Sequence, residues 1–224
     1  GGDADRGAGI VTEVVTDDHG LRGPDEDRRI VVGATGVAIA FNGECYNFRD
    51  LRAELETLGR SFVSTSDTEV ILAAYICWGH AAIERLRGMF ALAIWDPREN
   101  RLLLARDRLG IKPLYYTEQD GRLLFASELR ALLASEAVQR KLDPVSLAAY
   151  LWHGFVPGPR TLVQDVHLLP AGHLLTIRPG ESTKVQAYWQ YPKSAAATDS
   201  ETAAAQAAAK LEEAVAQHLV SDVP

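Results

Sequence analysis

Two apolar segments joined by a short turn constrain the fold of this chain most. Met89 to Trp95 carries no charge and reads as a buried strand; Asp96-Pro97-Arg98-Glu99-Asn100 has the composition of a turn, and Arg101 to Arg106 returns as the second strand. Further β segments are expected at Ile10 to Val15, Ile30 to Val32 and Val37 to Phe41. A second hairpin is expected from Leu114 to Tyr116 and Arg122 to Ala126 across Gln119-Asp120-Gly121, and a last strand from His173 to Ile177, stopping at Pro179-Gly180.

Helical signals alternate with these strands. Asn47, with Asp50 three residues later, is placed to cap a helix whose apolar stripe is Leu51, Leu55 and Leu58 and which Gly59 ends. A second helix is expected over about Asp67 to Trp78, with Val70, Ala74 and Cys77 on one face, and a short third over about Ala81 to Leu86. Others are expected from Ser127 to about Leu133 and from Asp143-Pro144 to near Gly154. The class is α+β. Residues 1–190 read as one domain and 191–200 as a linker. Residues 201–224 read as the start of a second domain, with an Ala-rich helix carrying Leu211, Val215 and Leu219 on one face.

Composition narrows the function. The 224 residues carry a net charge of −7, with Lys and Arg scattered, so neither nucleic acid nor an anionic membrane surface is the expected partner. The apolar runs are too short for a transmembrane helix, and no secretory leader is recognisable. Two cysteines, Cys45 and Cys77, lack zinc-ligand spacing and make no disulfide framework; a reduced, cytoplasmic protein is expected. The six histidines form no ligand pair, and no metal site is expected.

The chemistry concentrates in Phe41-Asn42-Gly43-Glu44-Cys45-Tyr46-Asn47 and in Ser66-Asp67-Thr68-Glu69-Val70. The first sets a carboxamide side chain beside a backbone N–H at a strand end, a pair able to hold a developing oxyanion. The second puts an acid at a helix start, where it could hold an ammonium group. Taken alone, Asp67 reads as a helix N-cap.

These segments, followed by Ala105-Arg106-Asp107-Arg108-Leu109-Gly110-Ile111-Lys112-Pro113-Leu114-Tyr115-Tyr116, resemble the glutaminase half of class B asparagine synthetases. Phe125-Ala126-Ser127-Glu128-Leu129, the run Tyr150 to Pro157, and Leu169-Pro170-Ala171-Gly172-His173 agree. The resemblance extends over about Arg22 to Pro224 and implies a class II, N-terminal-nucleophile hydrolase fold, a four-layer α/β/β/α sandwich of mostly antiparallel sheets. It implies that glutamine is hydrolysed by an N-terminal Cys whose α-amine is the base. Ammonia then passes to a C-terminal synthetase domain that uses ATP and Mg to amidate aspartate; no cofactor is implied for the glutaminase domain itself. Carried over by motif, Asn42 and Gly43 match the oxyanion hole, Asp67 the acid that holds the glutamine α-ammonium, and Glu44 a glutamine-binding residue. Arg29 matches the arginine that clamps the α-carboxylate. A homodimer is left open.

The chain opens on Gly1 and not on Cys. Two expectations follow: a leading segment supplies the Cys, or the domain is a Cys-less, non-catalytic scaffold for an amide synthetase fed by ammonia or an internal amine. Cys45 is not expected to substitute. It occupies a usually aliphatic place in the motif and lacks an adjacent α-amine as base. Core packing is the expected role of both cysteines. Arg106-Asp107-Arg108 is expected to be a turn-fixing ion-pair network rather than part of the site.

Overall fold

The computed structural model describes residues 13–14, 30–33, 35–119, 121–192 and 199–218. The chain divides into two compact units, Gly1–Gly43 with Met89–Tyr188, and Glu44–Gly88 with Trp189–Pro224. Ten strands and six helices are present among the described residues: β1 (Glu13–Val14), β2 (Ile30–Val32), β3 (Ala38–Cys45), α1 (Phe48–Thr57), α2 (Asp67–Trp78), α3 (Ala81–Arg85), β4 (Gly88–Asp96), β5 (Arg101–Arg106), β6 (Tyr115–Gln119), β7 (Arg122–Ala126), α4 (Leu129–Ala134), α5 (Pro144–His153), β8 (His167–Leu168), β9 (His173–Ile177), β10 (Lys184–Ala187) and α6 (Ser200–His218).

The first unit is built on two sheets. One has the strand order β10-β9-β5-β4-β3-β2, the other β1-β7-β6-β8. The β4–β5 hairpin forms as expected, antiparallel with Asp96 opposite Arg101. Asp96 is fully buried and its carboxylate holds the turn, accepting from the Arg98 N–H at 3.0 Å and from the Arg98 guanidinium at 2.7 Å. Ala91 and Ala93 of β4, Leu102 and Leu104 of β5 and Leu175 of β9 form one core with Leu123 and Phe125 of β7. These residues alternate along their strands, so this is the face where the two sheets meet. Phe90, Leu92, Ile94 and Leu103, which point the other way, are also buried. Each such side chain adds about 1.5–3 kcal/mol of burial. On the far side of β7, Leu124 and Ala126 pack with Ala131 and Leu132 of α4.

Several expectations change. The strand expected to stop at Phe41 runs on through Asn42-Gly43 to Cys45. Asn-Gly is therefore strand and not turn here, because pairing with the neighbouring strand outweighs local turn preference. A strand follows the supposed last one: β10 pairs antiparallel with β9, Lys184 opposite Thr176, so Pro179-Gly180 is a hairpin connection. The strand expected over Ile10 to Val15 is described only at Glu13–Val14, parallel to β7. Arg106 donates to the carbonyls of Lys112, Leu169 and Gly110 at 2.6–2.8 Å, and Asp107 accepts from main-chain N–H groups. These side chain to main-chain bonds hold the turn.

In the second unit α1 packs on α2 and α2 on α3. Leu51 and Leu55 of α1 are buried, whereas Leu58 is exposed at the C-cap. There Gly59, at φ +81°, and Arg60 return N–H groups to the Glu56 and Leu55 carbonyls at 3.0 Å each, a Schellman ending. Helix α2 buries Val70, Ile71, Leu72, Ala74 and Tyr75, more than a single stripe. Helix α6 buries none of its described residues; Leu211 and Val215 are exposed, and Leu219 lies outside the described residues. Its contacts within the unit include the His218 ring, 4.3 Å from that of Tyr46, and Glu213, 3.7 Å from Arg87.

Candidate active site

Strand β3 carries Asn42 and Gly43 within the first unit. Asn42 is half-buried. Gly43 has φ +148°, and a Cβ there would lie 2.0 Å from the Met89 carbonyl oxygen and 2.7 Å from the Phe90 Cα. No side chain fits, so position 43 requires glycine.

The second unit begins where β3 continues into Glu44 and Cys45. The Cys45 N–H donates to Asp67 Oδ2 at 2.9 Å. Asp67 is thereby tied to the end of the strand that carries the Asn-Gly-Glu sequence. It is the first residue of α2 and not its cap; the cap is Ser66, whose hydroxyl accepts from the Thr68 N–H. A serine cap leaves the Asp67 carboxylate available for a bond across the fold. Glu69, two residues on, faces the preceding loop and accepts from the Val63 and Ser64 N–H groups and the Ser64 hydroxyl at 2.6–2.8 Å. Burial pushes Glu69 up, but these bonds and the Arg52 charge outweigh it and hold the carboxyl below its usual value.

Cys45 is fully buried. Its thiol is pushed up to about 12 by burial first and by the Asp67 charge second, so it stays protonated and unreactive. Cys77 sits near the C-terminal end of α2, about 15 Å along the helix axis from Asp67. Arg29 lies outside the described residues.

Two residues escape the sequence reading. Asn47 occupies the N-cap position of α1, yet its side chain makes no cap bond. Its Oδ1 accepts from the Arg87 N–H at 2.8 Å and its Nδ2 donates to the Arg85 carbonyl at 3.0 Å. Gly88 lies against Glu44: a Cβ there would be 2.0 Å from the Glu44 carbonyl oxygen. The only sequence signals are an Asn just past the strand and a Gly just before Met89, both of which have commoner local explanations.

The two mostly antiparallel sheets, the glycine pressed against the neighbouring strand and the strand-tethered acid define a class. The fold is that of the N-terminal-nucleophile glutamine amidotransferases. A solved structure of glutamine phosphoribosylpyrophosphate amidotransferase from Bacillus subtilis matches with a TM-score of 0.51 at 22% identity, covering 72% of this chain and 31% of that one. A family model for the glutamine amidotransferase domain matches residues 23–189, and the chain belongs to that family. Among curated proteins, it is similar to asparagine synthetase [glutamine-hydrolyzing] 3 of Bacillus subtilis, 36% identical over 187 residues, 83% of this chain and 30% of that protein. It is similar to a putative asparagine synthetase [glutamine-hydrolyzing] of Mycobacterium tuberculosis, 39% identical over 193 residues, with 83% and 30% covered. It is also similar to the amidase chyE of Penicillium rubens, 38% identical over 187 residues, with 82% and 27% covered. The chain spans about 30% of the length of the asparagine synthetases it matches.

Proposed function

We propose that this domain hydrolyses glutamine to glutamate and ammonia within a longer asparagine-synthetase-like protein. One observation carries the assignment: the Asp67 carboxylate is hydrogen-bonded at 2.9 Å to the end of the strand bearing Asn42, Gly43 and Glu44. A carboxylate fixed in this way suits the α-ammonium of an amino acid. Arg29 takes the α-carboxylate and Glu44 contributes to glutamine binding.

The chemistry follows from these groups. A thiolate adds to the side-chain amide carbon of glutamine, and the carbonyl oxygen becomes an oxyanion. The Asn42 carboxamide N–H and the Gly43 main-chain N–H hold that charge. The amide C–N bond breaks, the nitrogen takes a proton and leaves as ammonia, and water releases glutamate from the thioester. Cys45 is too deeply buried and Cys77 too far along α2 to be the thiol. A Cys carried ahead of the residues shown here fits the role.

Ammonia is then used by the part of the protein that the chain does not span. The names of the asparagine synthetases in Bacillus subtilis and Mycobacterium tuberculosis support asparagine as the product; aspartate as the acceptor, with ATP and Mg acting in that part, completes the proposal. The cytoplasm, where these substrates are abundant, is the proposed location. Among the described residues no helix is long and apolar enough to cross a membrane.

The test is glutamate release from glutamine by the full-length protein. Asn42→Ala lowers kcat about 10²–10³-fold with little change in glutamine affinity. A normal turnover number in that variant removes Asn42 from the oxyanion hole. Full-length protein that binds glutamine without releasing glutamate is a non-catalytic scaffold instead.

A further inference from the structure

Resting on the assignment of Asp67 to the glutamine ammonium, we propose that Asn47 and Gly88 are positioning residues for that contact. They act through the peptide between Glu44 and Cys45. Its N–H donates to Asp67 Oδ2 at 2.9 Å. Its carbonyl oxygen faces Gly88, where even a methyl group would sit 2.0 Å away. The peptide is thus held at both edges, by the acid on one side and by the backbone of residue 88 on the other.

Asn47 sets where that backbone runs. Past the end of β3, the Tyr46 N–H donates to the Arg87 carbonyl at 2.8 Å. The Asn47 carboxamide then supplies the reciprocal acceptor, taking the Arg87 N–H at 2.8 Å, and donates to the Arg85 carbonyl at 3.0 Å. A side-chain amide here stands in for a main-chain peptide and continues the strand pairing beyond its last residue. With Arg85 and Arg87 anchored, Gly88 is pressed to the Glu44 carbonyl, and the Cys45 N–H is aimed at Asp67. Asn47 touches no substrate in this scheme. Alanine at 47 removes both bonds, together with the 3.4 Å bond that the Cys45 thiol donates to Asn47 Oδ1, and frees the segment from 85 to 88. Alanine at 88 drives the Glu44–Cys45 peptide away directly.

The experiment uses the full-length protein, with calorimetric glutamine binding and steady-state glutaminase kinetics. Asn47→Ala should raise the glutamine KM and Kd about ten-fold and leave kcat within about two-fold. In an Asp67→Ala background the same change should lower kcat/KM by less than about two-fold, because the effect runs through the missing carboxylate. Additive losses, or a fall in kcat with KM unchanged, overturn the proposal. If Asn47→Ala does not fold, Asn47→Asp keeps the acceptor for Arg87 and loses only the donor to Arg85. It should raise KM about three-fold, and an unchanged KM overturns the proposal equally. Asp67→Ala alone separates the two levels. If it leaves glutamine affinity intact, the ammonium assignment itself fails. If it weakens affinity while the Asn47 variants do not, only the positioning role fails.

Discussion

Asp67 and Asp107 are both aspartates that accept main-chain N–H bonds, and they do different work. Asp107 is 1% exposed and takes N–H groups from Phe90, Leu109, Ile111 and Lys112 at 2.9–3.3 Å. It ties the end of β5 to the turn that follows and to β4. Asp67 is half-buried at the start of α2, and one of its oxygens takes the Cys45 N–H. A buried carboxylate surrounded by backbone donors is a structural joint. The proposed ligand contact falls instead to a half-buried one at a helix start, held in place by a strand end.

The contrast breaks most visibly on stability. Asp107→Ala strands several buried N–H groups and should cost about 3–5 kcal/mol in urea denaturation. A variant with a near-native midpoint would place Asp107 outside the joint. Asp67→Ala should weaken glutamine binding about 30- to 100-fold in calorimetry, about 2–3 kcal/mol, while the denaturation midpoint moves much less. Equal stability losses at both positions would erase the distinction.

Two smaller effects sharpen it through pH. The Cys45 thiol moves from 9.0 to about 12. The folded state therefore keeps a proton that the unfolded chain releases, so this contribution is full below pH 9 and falls as pH rises toward 12. Cys45→Ala should flatten that alkaline loss, and in native protein Cys45 should resist alkylation at pH 8. Glu69 has the opposite sign. Its carboxyl is held below 4.5, so its contribution is full above that pH and is lost as pH falls further. Glu69→Gln should remove this acid-side slope in thermal melts at graded pH.

Much of the fold was legible in the sequence. The β4–β5 hairpin, the span of α2, the Asp143-Pro144 start of α5 and the Gly59 stop of α1 all follow from turn chemistry, periodicity and capping. These signals are local, and the structure keeps them. The errors share a cause. Asn47 looks like a helix cap because its neighbours in sequence are helical, yet its amide is taken up by residues 38 and 40 positions away. Phe41 looks like a strand end because Asn-Gly is a turn pair, yet Gly43 is pressed against the Met89 backbone. Leu58 continues an apolar spacing, but the Schellman ending turns it to solvent.

The sequence by itself determined the order of the motifs, the family they belong to and the residue types available at a glutamine site. Those properties are written in runs of a few adjacent residues. Tertiary structure alone decided that Cys45 is an inert core thiol, and that Asp67 is held by a strand end 22 residues earlier. It also decided that residues 43 and 88 admit no side chain. Each of these depends on which distant backbone the chain brings alongside, and no local propensity encodes that.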